Sequence, residues 1–116
     1  MCKHWFACEL HCHTIHSDGA FTPESLMQTA RERLLDGIAL TDHNTVSGVA
    51  QASREETPAL LPGVELTTFY GHMPVLAPSH WVEWRDLDAS QGDLLLSRAI
   101  EAGGTPGIAH PFQLGT

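Results

Sequence analysis

The sequence predicts an α/β fold of parallel βαβ units, and three observations predict it. Short apolar runs alternate with stretches of helical periodicity. The helical stretches carry recognisable start and stop residues. Imidazoles and carboxylates collect where the predicted strands end, which is where open and closed α/β sheets place their ligands. A chain of 116 residues with 42% hydrophobic content supplies one core and leaves no room for a second domain.

Phe6 to His13 alternate with period two, placing Cys8, Leu10 and Cys12 on one face and Glu9, His11 and His13 on the other, as a first strand requires. Thr22 as N-cap, Pro23 at the first helical position and Glu24 start a helix, and Leu26, Met27, Ala30 and Leu34 keep its spacing until Gly37. Gly37 to Thr41 form a second strand, closed by Asp42-His43-Asn44. A weaker helix is expected from about Thr45 to Glu56. Ala59 to Leu61 and Val64 to Phe69 make a third strand around a Pro62-Gly63 break, and Gly71 turns the chain into His72 to Leu76. Ala77 to Asp88 read as a loop whose Trp81 and Trp84 either fold inward or wall a pocket. Ser90 to Asp93 have the form of a capping box, after which Leu95, Ala99 and Ala102 give a helical stripe ending at Gly103-Gly104. Gly107 to Pro111 are the last predicted strand. Four or five such units make about half of a closed barrel, which needs roughly 200 residues or more. The chain, residues 1–116, is therefore expected to be the N-terminal part of a longer domain, with an exposed sheet edge that favours self-association and with little activity alone.

Charge narrows the function. The net charge is −8, and the basic residues Lys3, Arg31, Arg33, Arg54, Arg85 and Arg98 are scattered, which disfavours direct nucleic-acid binding and an anionic-membrane surface. No apolar run is long enough for a membrane span and no signal-peptide pattern follows Met1, so the expected location is the cytoplasm. Cys2, Cys8 and Cys12 are odd in number and bunched, a poor disulfide framework.

Eight histidines in so short a chain are the unusual entry in its composition. His11 and His13 lie two apart on one strand face, so both can point at one ion. With His43, His72, His110, Asp18, Asp42 and Glu65 at the remaining strand ends, the cluster is one that buried charge permits only with partners or a metal. Plainer readings exist for some members. Asp18 before Gly19 fits an Asx turn, and Asp42 fits an N-cap for the helix after Asn44 as well as it fits the site itself. His4, His16 and His80 have loop-like contexts, and Cys8 and Cys12 suit small core positions. Neither a Gly-rich phosphate loop nor a Gly-x-Ser-x-Gly elbow is present, so covalent serine or cysteine catalysis ranks low.

His11-Cys12-His13-Thr14 with Ser17-Asp18-Gly19, then Thr41-Asp42-His43-Asn44, Pro62-Gly63-Val64-Glu65, Gly71-His72 and His110-Pro111, resemble the PHP (polymerase and histidinol phosphatase) metallohydrolases. Glu65 to Thr68 running into Gly71-His72 is most similar to the branch that includes carbaryl-type ester hydrolases. The resemblance implies a distorted (β/α)7 barrel with up to three divalent ions, zinc, manganese or iron, at its C-terminal mouth. It implies that His11, His13 and Glu65 hold one ion, Glu65, His72 and His110 a second, and Asp18 and His43 a third. The Gly-x-Asp-x-His motif that completes the family pattern is not in this sequence.

On this reading Glu65 and Asp42 are the candidate catalytic carboxylates. The implied chemistry is a metal-dependent hydrolase in which a hydroxide bridging two ions attacks a phosphoester of a small molecule. The alternatives are a carboxyl- or carbamate-ester hydrolase on the same metals, and a non-catalytic metal-binding or accessory module.

Overall fold

A computed structural model of the chain describes residues 4–52, 57–69 and 71–113. Its elements are β1 (Cys8–Cys12), α1 (Pro23–Glu32), β2 (Gly37–Leu40), α2 (Ser47–Gln51), β3 (Ala59–Thr68), β4 (Gly71–Leu76), α3 (Gly92–Glu101) and β5 (Thr105–Pro106). The strands form one sheet in chain order. Two right-length crossovers make β1, β2 and β3 parallel, as expected. The wholly parallel arrangement then fails: β3 and β4 are antiparallel, and so are β4 and β5. The physical reason is the connection. Thr68 pairs with Gly71, so only two residues join β3 to β4, whereas a parallel crossover needs a dozen or more. Gly71 sits at φ +108°, a conformation that favours glycine.

Several element boundaries also differ from expectation. α2 spans Ser47–Gln51 with Val46 at its N-cap, so Asp42 does not cap it, and residues 53–56 of the expected helix lie outside the described residues, as does Cys2. The Ser90 capping box does not form: Ser90 donates its N–H and hydroxyl to Asp88 Oδ1, and Gln91 is the N-cap without a side-chain cap bond. The last strand shifts to Thr105–Pro106, although Gly107 and Ala109 still donate to Pro74 and His72 carbonyls alongside β4. Leu10 and Leu34 are 51% and 85% exposed, against the inward faces expected of them.

Leu34 escapes the core because α1 ends two residues earlier, at Glu32. The Leu34 N–H reaches the Arg31 carbonyl and the Leu35 N–H the Ala30 carbonyl, a Schellman closure that places Leu34 at φ +58°. A leucine in that region is strained by about 1–2 kcal/mol, part of which glycine returns as extra freedom of the unfolded chain. Leu34→Gly should therefore stabilise the fold by about 0.5–1 kcal/mol in urea unfolding, and a lowered midpoint would contradict this closure. α3 ends in the same way but with Gly103, at φ +78°, in the strained position.

Strand parity then sorts the side chains. Val64 and Leu66 of β3 and Val75 of β4 pack with Leu95 and Ala99 of α3 and Ala102 at its C-cap, and the irregular segment after β4 adds Val82 and Leu87. Trp84 packs against this cluster, while Trp81 lines a separate apolar cavity of about 210 Å³ with Val46, Pro62 and Val64. Met27 and Ala30 of α1, Ile38 of β2 and Ala52 form a second cluster, with Cys12 and Leu60 against it. The opposite sheet face is left to His11, His13, His43, Glu65, Thr67 and His72. Among the described residues no helix is long and apolar enough to cross a membrane.

Candidate metal centre

Glu65 follows from its neighbours. Val64 and Leu66 must face α3, so the residue between them must face the other way, and it is fully buried there. The Glu65 N–H donates to the Asp42 carbonyl and its own carbonyl accepts from the Asn44 N–H, which locks the end of β2 beside it. One oxygen, Oε2, lies 2.7 Å from His11 Nε2, 3.0 Å from His13 Nε2 and 3.8 Å from His43 Nε2. The other, Oε1, lies 3.0 Å from His72 Nδ1 and 3.5 Å from His110 Nε2. His72 Nδ1 and His110 Nε2 are themselves 3.0 Å apart. Asp18 stands at the rim, 68% exposed, with Oδ2 3.4 Å from His43 Nε2 and Oδ1 4.0 Å from His13 Nδ1.

These separations fit divalent cations. Nitrogen and oxygen donors about 2.0–2.1 Å from one tetrahedral ion sit roughly 3.3 Å from one another. Imidazoles are the only groups that ring Glu65 in these contacts, so the buried carboxylate has no permanent counter-charge. His13 Nδ1 and Glu65 Oε1 are buried without a hydrogen-bond partner, the kind of orphaned polar atoms a cation would satisfy. Among the described residues three donor groups meet the geometry: His11, His13 and Glu65; His13, Asp18 and His43; and His43, Glu65 and His72.

Titration follows the same layout. Burial pushes the Glu65 carboxyl upward, but the His11 hydrogen bond and the charges of His11, His43 and His13 outweigh it and hold it below the ordinary 4.5. Burial, reinforced by His43 and opposed by Glu65 and Asp18, pulls His13 below its ordinary 6.5. Cys12 is pushed up to about 11, first by burial and then by the Glu9 charge, so it is a protonated thiol at neutral pH.

Asp42 is not in the ring. It neighbours His43 in sequence just past the end of β2, but its carboxylate bonds Thr14 and Ser17 instead of entering the imidazole ring. Buried on the helix side, its Oδ1 accepts from the Thr14 N–H at 2.6 Å and the Ser17 hydroxyl at 2.8 Å, and its Oδ2 accepts from the Thr14 hydroxyl at 2.7 Å. Gly48 passes so close that a Cβ there would lie 2.7 Å from Asp42 Oδ2. The carboxylate thus ties the loop after β1, which carries His13 and Asp18, to the end of β2, which carries His43.

Two supporting residues were not anticipated. Thr67 Oγ1 lies 2.6 Å from His43 Nδ1; accepting that proton leaves His43 Nε2 free to ligate. Asn44, at φ +51°, accepts from the Thr67 N–H and donates to the Thr67 carbonyl, fixing the threonine in turn. Period-two spacing from Glu65 is the signal that places Thr67 on the cage face. Outside the cage, His16 bonds Ser47 and Gln51 of α2, His80 Nδ1 faces the Trp81 carbonyl, and His4 packs edge-on against Phe6.

Comparison with known proteins places this geometry. The chain is 40% identical over 67 residues to the 5'-3' exoribonuclease Rnm of Escherichia coli (strain K12), covering 53% of this chain and 23% of that one. It is 36% identical over 70 residues to the 3',5'-nucleoside bisphosphate phosphatase of Chromobacterium violaceum, covering 58% and 25%. A two-domain Bacteroides vulgatus protein containing a predicted PHP-like metal-dependent phosphoesterase superposes with a TM-score of 0.67 at 23% identity, over 87% of this chain and 34% of that one. The chain thus matches about a quarter to a third of the length of these proteins. The mixed five-stranded sheet with its helices is a partial PHP-type (β/α) barrel. The model of the PHP domain matches residues 9–81, more than half of the sequence, and the chain belongs to the PHP domain family.

Proposed function

We propose that this chain carries the metal-binding end of a phosphoester hydrolase. The observation that carries the proposal is a single buried carboxylate, Glu65, with imidazoles converging on both of its oxygens. His11, His13 and Glu65 Oε2 would hold one ion, His72, His110 and Glu65 Oε1 a second, and His43 with Asp18 a third. Such ions, when bound, supply an acidified water at neutral pH and neutralise an anionic ester. The protein's own part is positional. Glu65 holds the two histidine pairs at fixed separation, Thr67 sets the ring of His43, and Asp42 anchors the loop that brings His13 and Asp18 to the rim. We read Asp42 as a positioning residue, since its oxygens are occupied by Thr14 and Ser17.

The names of two relatives, an exoribonuclease and a bisphosphate phosphatase, support a phosphoester substrate. Among the described residues no Lys or Arg lines the cavity of about 580 Å³ beside His72 and His110, which favours a small ester over a long polyanion. Manganese-, zinc- or iron-loaded protein should hydrolyse a nitrophenyl phosphate faster than a naphthyl carbamate. Turnover of the carbamate alone would instead support the carboxyl-ester alternative, and turnover of neither would support a non-catalytic module.

The pH dependence has a definite sign. Ligand imidazoles must be neutral and Glu65 ionised for a cation to bind. Glu65 and His13 both have folded values below their ordinary 4.5 and 6.5, so the unfolded chain binds more protons, and both contributions to stability shrink as pH falls. The loss through His13 begins as pH drops below 6.5, and that through Glu65 as it drops below 4.5. Turnover is expected to decline steeply between about pH 7 and 5. A rate profile that stays flat across that interval contradicts metal ligation by these groups.

A further inference from the structure

The cavity beside His72 and His110 is lined by two chemically distinct kinds of side chain. Thr67, His72 and His110 supply polar groups, while Phe69 and Ile108 line the same space with large apolar side chains left 80% and 81% exposed. Phe69 sits in the β3–β4 turn, two residues beyond the threonine that orients His43, and Ile108 sits two residues before His110. Both are therefore tied in sequence to the cage they adjoin. Among the described residues no Lys or Arg lines the cavity, so discrimination among esters there falls to apolar contact and hydroxyl groups. Imidazoles and hydroxyls lining the same space as Phe69 and Ile108 match an ester whose phosphate is small and whose alcohol half carries a flat ring.

We propose that Phe69, assisted by Ile108, is a specificity-determining platform that selects phosphoesters with an aromatic or heteroaromatic alcohol half. The inference rests on the phosphoesterase reading and deepens it. The ring lies over the Phe69 face while the phosphate is held at the His72 and His110 end, so the platform acts on substrate binding rather than on bond cleavage. Ring burial of this kind corresponds to roughly ten-fold in affinity.

The test compares benzyl phosphate with ethyl phosphate, whose leaving alcohols are both primary, on manganese-loaded protein. Benzyl phosphate is expected to show a KM roughly ten-fold lower at similar kcat. Phe69→Ala should erase that difference while leaving the ethyl phosphate parameters unchanged, and Phe69→Trp should keep it. A preference that survives Phe69→Ala, or an equal loss on both esters, overturns the platform. Titration with benzylphosphonate and ethylphosphonate, neither of which can be hydrolysed, separates the two levels of the argument. If neither ester turns over, the phosphoesterase reading fails. Equal affinity of wild-type protein for the two phosphonates overturns the platform by itself.

Discussion

Glu65→Gln should lower phosphoester turnover by on the order of 10³-fold or more, the largest effect expected of any single substitution in this chain. The change keeps the size and one oxygen of the side chain. It replaces the other oxygen with an amide that donates hydrogen bonds towards nitrogens whose lone pairs are needed for cations. Either the His11 and His13 side or the His72 and His110 side must then lose its shared ligand. Far-ultraviolet circular dichroism should stay unchanged, because β3 is held by Val64 and Leu66 on the other face. The rise in melting temperature that added divalent ions give to the wild type should disappear in the variant. Turnover within ten-fold of wild type in Glu65→Gln would remove the bridging role.

Asp42→Ala should destabilise the fold by about 2–4 kcal/mol, because it strands the Thr14 N–H, the Thr14 hydroxyl and the Ser17 hydroxyl at once. Thr14 is fully buried, so water cannot readily replace the lost acceptor. Asp42→Asn should cost less, since the amide retains one acceptor for the Thr14 N–H. The discriminating readout is metal affinity. A positioning residue for the loop bearing His13 and Asp18 should weaken divalent-ion binding by about 10–100-fold while the other cage residues keep their places. An unfolding free energy in urea lowered by less than about 0.5 kcal/mol would show that the clamp is dispensable.

Much of this site was legible because strand parity is rigid. His11 with His13 and the position of Glu65 between two core residues follow from alternation alone, and the α1 start at Thr22 and Pro23 formed as its capping residues indicate. Asp42 and His43, adjacent just past the end of β2, part company: Asp42 bonds Thr14 and Ser17 while His43 Nε2 faces Glu65. The parallel sheet broke down where a chain-length argument was available, since two residues between Thr68 and Gly71 permit only a hairpin. Other features depend on tertiary context. Nothing local marks Val82 and Leu87 as core, Ser90 yielded to an Asx-type arrangement around Asp88, and the contact between Thr67 and His43 joins residues from different strands.

The most direct test of the account is the number of divalent ions retained per chain. Protein reconstituted in turn with manganese, zinc and iron, then dialysed, should keep at least one ion per chain by elemental analysis, and Glu65→Gln should keep essentially none. Wild-type protein that returns metal-free from all three reconstitutions, or a Glu65→Gln variant that retains as much as wild type, would contradict it.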